Sequence, residues 1–160
     1  MSESSVPKVF SGAEVLRMAA EMEQIGQTFY ESLAGAADDP KVANLCRQLA
    51  TAEAHHYQEF QRLLAHLVRP GTGPWVTEQQ TEAARALVKG RVLPRIADVR
   101  KVALGGNLAE AVKLAREMEQ DAVRFYELML TVVPLSDRPA VTQIIQQERT
   151  HLRELNELPF

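Results

Sequence analysis

Two glutamate–histidine pairs carry the potential chemistry of this sequence. Glu53-Ala54-His55-His56 and Glu148-Arg149-Thr150-His151 each set a carboxylate three residues before an imidazole. On a helix, residues three apart share a face. Each pair falls inside an apolar stripe. Val42, Leu45, Leu49, Phe60, Leu63 and Leu67 surround the first; Val141, Ile144, Ile145, Leu155 and Leu158 surround the second. A carboxylate and an imidazole turned toward a core are costly unless paired or metal-bound. One Glu-x-x-His is weak evidence, and its recurrence is what points to a metal.

The segments that must position these pairs read as helices. Ser11-Gly-Ala-Glu14 is a capping box with Ser11 as N-cap. The helix after it carries Val15, Met18, Met22, Ile25, Phe29 and Leu33 at helical spacing. Gly35 to Pro40 is a stop followed by a start, with Asp39 as N-cap and Pro40 in the first helical position. The second helix is expected over residues 41–68. Arg69-Pro-Gly-Thr-Gly-Pro74 is the strongest break in the chain, and Trp75 after it suits a lid or an interface plug. Thr77 to Lys89 reads as helical, with Pro94 ending or kinking it. Asn107-Leu-Ala-Glu110 is a second capping box. It opens a third helix with Leu114, Met118, Ala122, Phe125 and Met129 on one face. Pro134 to Pro139 forms a turn, and a fourth helix covers about residues 140–157. No alternating strand pattern competes. The reading is one all-α domain: a tail (1–10), a helix hairpin (11–68), a long, partly helical crossover (69–106) and a second hairpin (107–158).

The two hairpins repeat each other. Glu21-Met-Glu-Gln-Ile-Gly-Gln-Thr-Phe-Tyr30 matches Glu117-Met-Glu-Gln-Asp-Ala-Val-Arg-Phe-Tyr126 at an offset of 96 residues, which the two capping boxes share. The Glu-x-x-His pairs match at an offset of 95. Related by a pseudo-twofold axis, the halves bring Glu23, Glu53 with His56, Glu119, and Glu148 with His151 together at mid-bundle. Four buried carboxylates would repel one another and take up protons. Two divalent cations would neutralise them, and carboxylates with one imidazole per metal suit iron, with manganese as the alternative. Glu21 and Glu117 point away, to solvent. His55 lies about 100° around the helix from His56, on an outer face with Glu59, Arg62 and His66, so His55 and His66 read as surface residues. Cys46 reads as a small apolar core residue.

Composition bounds the rest. The 160 residues suffice for one core. A net charge of −3 gives no reason to expect nucleic acid or an anionic membrane. A single cysteine excludes an internal disulfide or a CxxC metal site. The polar opening MSESSVPKVF shows no secretory signal and no stretch reaches membrane-spanning length, so the expectation is cytoplasmic.

One Glu from each of two helices and a Glu-x-x-His from each of two others resembles the ferritin-like di-iron or di-manganese carboxylate bundles. Within that superfamily the chain is similar to the rubrerythrin branch over about residues 11–157, on the Glu-x6-Tyr of helices one and three (Glu23 to Tyr30, Glu119 to Tyr126) and both Glu-x-x-His pairs. The resemblance implies a ferritin-like four-helix bundle holding two Fe ions. It also implies that Glu53 and Glu148 bridge them, that Glu23 with His56 completes one metal and Glu119 with His151 the other, and that Tyr30 and Tyr126 are hydrogen-bond partners of the ligands. The bare residues leave both tyrosines equally open as core aromatics. The implied activities are reduction of peroxide or dioxygen and oxidation of Fe(II). Two departures stand out. A single cysteine leaves no room for a four-cysteine rubredoxin domain within these 160 residues, so electrons are expected from an external donor such as a rubredoxin-type protein. Ala122 stands where the branch has a further third-helix glutamate, which brings the expected centre nearer the symmetric one of bacterioferritin. Two other functions stay open: ferroxidase-type iron handling or storage, and a non-catalytic metal-dependent interaction module. A homodimer or larger homo-oligomer is expected.

Overall fold

The fold is seen in a computed structural model that describes residues 12–67, 95–131 and 133–160. Five α-helices account for it: α1 (Gly12–Ala36), α2 (Pro40–Leu67), α3 (Ile96–Leu104), α4 (Leu108–Met129) and α5 (Arg138–Asn156). Among the described residues there is no strand, so the all-α expectation holds. The expected tail, the Ser11 cap, the Arg69–Pro74 break, Trp75, the helix over Thr77–Lys89 and Pro94 lie outside the described residues.

The short connection between α1 and α2 makes them an antiparallel hairpin. α1 passes through Gly35 and ends at Ala36. Asp39 then caps α2 as its sequence position suggests: its carboxylate accepts the Lys41 amide at 2.9 Å, and Pro40 occupies the position whose missing N–H costs nothing. α4 and α5 form the second hairpin, and the two hairpins meet through α1 against α4 and α2 against α5. Asn107 caps α4 by accepting the Glu110 amide at 3.1 Å. Asn107→Ala is expected to cost about 1 kcal/mol of stability, read as a lowered melting temperature with metal content unchanged. α5 begins two residues before the expected Ala140, after a short 3₁₀ turn at Leu135–Asp137. Pro139 fits because a first-turn N–H has no intrahelical partner.

α3 lies within the stretch read as a partly helical crossover, at residues where the sequence singled out no helix. It is nine residues long and packs on α1 through Val99 and Ala103. The connection to α4 turns at Gly106, whose φ of +77° favours glycine.

The core is divided by the functional layer. On one side lie Leu16, Phe60, Leu63, Phe125, Met129 and Ile144. On the other lie Phe29, Leu33, Cys46, Leu49, Val99 and Leu155. Each fully buried side chain of this size contributes about 1.5–3 kcal/mol, so two apolar plugs flank and hold the middle of the bundle. Cys46 is buried among them as expected, and burial pushes its thiol up to about 12. No described helix is long and apolar enough to cross a membrane.

Candidate metal centre

Between the two apolar plugs lie Glu23 on α1, Glu53 and His56 on α2, Glu119 on α4, and Glu148 and His151 on α5. Glu23, Glu53, His56, Glu119 and Glu148 are buried, and His151 is half-buried. These are the six side chains singled out in the sequence, and the bundle brings all of them together. They fall into two overlapping sets, Glu23–Glu53–His56–Glu148 and Glu53–Glu119–Glu148–His151. Within each set, one donor atom from every member lies within 4.8 Å of the others. Glu53 and Glu148 belong to both. Glu21, His55 and His66 are exposed, and Glu117 is half-exposed.

The contacts within the cluster are close but incompletely satisfied. His56 Nδ1 is 2.7 Å from Glu148 Oε1 and 3.6 Å from Glu23 Oε2. His151 Nδ1 is 3.1 Å from Glu148 Oε2 and 3.9 Å from Glu53 Oε1. The two imidazoles stack with ring centres 5.9 Å apart. Glu23 Oε2, Glu53 Oε1, His56 Nδ1 and Glu148 Oε1 are buried without an aligned hydrogen bond; even the short His56–Glu148 contact is poorly directed. Buried polar atoms almost always find partners, and these four converge on one spot with only one another for company, which is the geometry of ligands. The far nitrogen of His56, Nε2, is 2.6 Å from Gln147 Oε1. With its proton given to that amide oxygen, Nε2 leaves Nδ1 as the nitrogen facing the carboxylates. This is how an outer partner fixes a ligating histidine.

The tyrosines cross the duplication. Tyr30 of α1 donates to Glu119 Oε1 of α4 at 2.6 Å, and Tyr126 of α4 donates to Glu23 Oε1 of α1 at 2.5 Å. Each half supplies the hydrogen bond to the other half's glutamate. Both are buried aromatics whose hydroxyls hydrogen-bond two of the clustered carboxylates. Burial first, then the neighbouring carboxylates, push both phenols well above their ordinary range, so they stay protonated donors. Tyr126→Phe is expected to cost about 1–3 kcal/mol, because a buried carboxylate oxygen loses its partner. It should also weaken metal binding about 10–100-fold. Melting and metal titration of the variant check both effects.

The rubrerythrin family profile matches residues 14–159. The chain belongs to the rubrerythrin family. A solved structure described as a ferritin-like diiron-carboxylate protein from Thermotoga maritima superposes with a TM-score of 0.71 at 20% identity, covering 93% of this chain and 94% of that one. The likeness establishes the ferritin-like fold. No curated protein matches. The rubrerythrin relationship, the two overlapping donor sets and the orphaned ligand atoms agree: the cluster fits a dinuclear iron site.

The cluster's own charges show what a metal must displace. Burial, then repulsion from Glu148, pushes Glu23 well above the ordinary carboxylate range, and the same causes raise Glu53 and Glu119. Glu148 is the exception. Burial opposes its ionisation, but close contacts with Glu119, His151 and His56 win and hold it below the ordinary range. Burial lowers His56, but Glu148 more than compensates and His56 is pushed up to about 9. In the metal-free cluster, burial and mutual repulsion therefore favour the protonated forms of Glu23, Glu53 and Glu119, while Glu148 and His56 favour a carboxylate–imidazolium pair.

Beside the cluster, between α1 and α4, a cavity of about 20 Å³ is lined by Met22, Gly26, Tyr30, Glu53, Ala122 and Tyr126 among others. Ala122 thus places a methyl group on the cavity wall where the family resemblance puts a further glutamate. Three contributors were not singled out in the sequence. Gln147 faces His56 from α5, Asp121 lines the cavity, and Gly26 lies against Glu53. A signal existed only for Gly26, a glycine between Glu23 and Tyr30 in a strong helix.

Proposed function

We propose that the protein is a di-iron carboxylate oxidoreductase that reduces hydrogen peroxide or dioxygen. The observation that carries this reading is the pair of overlapping donor sets sharing Glu53 and Glu148. Glu23 with His56 would complete one ion and Glu119 with His151 the other. A pair of ferrous ions supplies two electrons, one from each, which suffices to reduce peroxide to water with two protons. The chain's residues do the rest. The carboxylates balance the added charge, Gln147 fixes the ligating nitrogen of His56, and the tyrosines hold Glu23 and Glu119. The apolar layers exclude bulk water. The adjoining cavity has room for about one water-sized molecule, which suits a small oxidant and rejects an organic substrate. A separate reduced carrier would return the electrons.

The test is anaerobic loading with Fe(II) followed by stopped-flow mixing with peroxide. The expected result is oxidation of two Fe(II) per peroxide consumed, and repeated turnover when a reductant is supplied. Fe(II) oxidation without turnover would move the protein to iron handling. Metal binding with no oxidation at all would leave a metal-dependent scaffold.

A further inference from the structure

Gly26 sits in the middle of α1, in a conformation open to any residue, since Gly106 is the only described glycine with positive φ. Alanine is a better helix former there, so backbone conformation does not explain the glycine. Space does. A Cβ at position 26 would lie 2.5 Å from Glu53 Oε2, 3.3 Å from its Cδ and 3.6 Å from its Cγ. The first distance is far inside contact range. We propose that Gly26 is a positioning residue whose missing side chain forms the slot that holds the Glu53 carboxylate at the metal centre. The inference rests on the reading of Glu53 as a ligand shared by the two ions.

The slot makes the two shared glutamates unequal. Glu148 is wholly buried and held by both histidines, at 2.7 and 3.1 Å. Glu53 has its closest imidazole contact at 3.9 Å, leans toward α1 and lines the cavity. Position 122, which the internal repeat pairs with Gly26, carries a methyl group. One shared carboxylate is thus held by histidines, and the other lies beside Glu23 against the bare backbone of α1.

The experiment is a mutant cycle of Gly26→Ala and Glu53→Ala, read by thermal melting of the metal-free protein and by visible absorption on titration with Co(II). Gly35→Ala is the control, since a Cβ there meets nothing within 4 Å. In the wild-type background Gly26→Ala should lower the melting temperature and weaken Co(II) binding at least tenfold. In the Glu53→Ala background it should raise the melting temperature, because the new methyl meets no carboxylate. A purely structural role for the glycine would show no such reversal of sign. If Gly26→Ala alone fails to fold, recovery of folding in the double variant supports the slot, and no recovery overturns it. Gly26→Ala that stabilises both backgrounds and binds Co(II) like wild type also overturns it. Wild-type protein that binds no Co(II) defeats the ligand reading, and the metal-free cycle still decides separately whether the slot exists. Gly35→Ala should leave the Co(II) titration unchanged.

Discussion

Glu148→Ala is expected to abolish two-metal binding and weaken any residual single-ion binding by more than about 100-fold. Loss of a mere outer partner of a ligand costs about 10–100-fold, and Glu148 is common to both donor sets and touched by both histidines. The metal-free protein should also suffer. Glu148 is the carboxylate held ionised in the cluster, and its removal leaves the His56 imidazolium buried without its closest counter-charge. Breaking a buried pair from one side costs about 3–5 kcal/mol. His56 can limit the loss by releasing its proton, so the lower end is expected. Glu21→Ala, two residues from Glu23 but exposed, should leave metal content and melting unchanged. Metal analysis and thermal melting of both variants check this. Equal losses at Glu21 and Glu148 would show that the helix faces are assigned wrongly.

The second large effect is a pH dependence that metal reverses. In the metal-free fold Glu23, Glu53 and Glu119 keep protons that unfolded glutamates release near pH ~4.3. The folded state therefore binds more protons than the unfolded one, and stability falls as pH rises above that value. His56, pushed up to about 9, acts with the same sign: its contribution is complete below the ordinary histidine value and lost as pH rises through about 9. Glu148 works oppositely, but its contribution is lost only as pH falls through its lowered folded value. Each extra bound proton costs about 1.4 kcal/mol per pH unit. The metal-free melting temperature should thus decline steadily from about pH 5 to pH 9. Metal displaces protons held by His56 and by the raised glutamates, so binding should release protons and tighten with pH. Calorimetry at pH 7 in buffers of different ionisation enthalpy counts the released protons. A metal-free melting curve flat across that range, with no protons released on binding, would contradict the charge state described above.

Much of this site was legible because the chain repeats itself. Either Glu-x-x-His alone is a common accident. The shared offsets of 96 and 95 residues bind four helical segments into two hairpins and leave the six polar side chains facing one another. Capping chemistry located α2 and α4 for the same local reason: Asp39 and Asn107 do in the fold what their types and positions suggest. What stayed hidden depends on contacts between helices. The spacing of Tyr30 and Tyr126 places them near glutamates of their own helices, yet each bonds the glutamate of the opposite half. Gln147 looks like a surface glutamine until α5 is set against α2 and its amide reaches His56. Gly26 acquires meaning only from the register of α2, which carries Glu53 across it. α3 is too short for a periodic stripe, since two buried residues, Val99 and Ala103, are enough to dock it on α1.

The most direct measurement is anomalous diffraction at the iron edge from crystals grown anaerobically with Fe(II). Two peaks are predicted, about 3.5–4 Å apart as in two-metal sites generally, both between Glu53 and Glu148. One should lie against Glu23 and His56, the other against Glu119 and His151. A single peak, peaks elsewhere, or none within the cluster in iron-replete crystals would contradict the account.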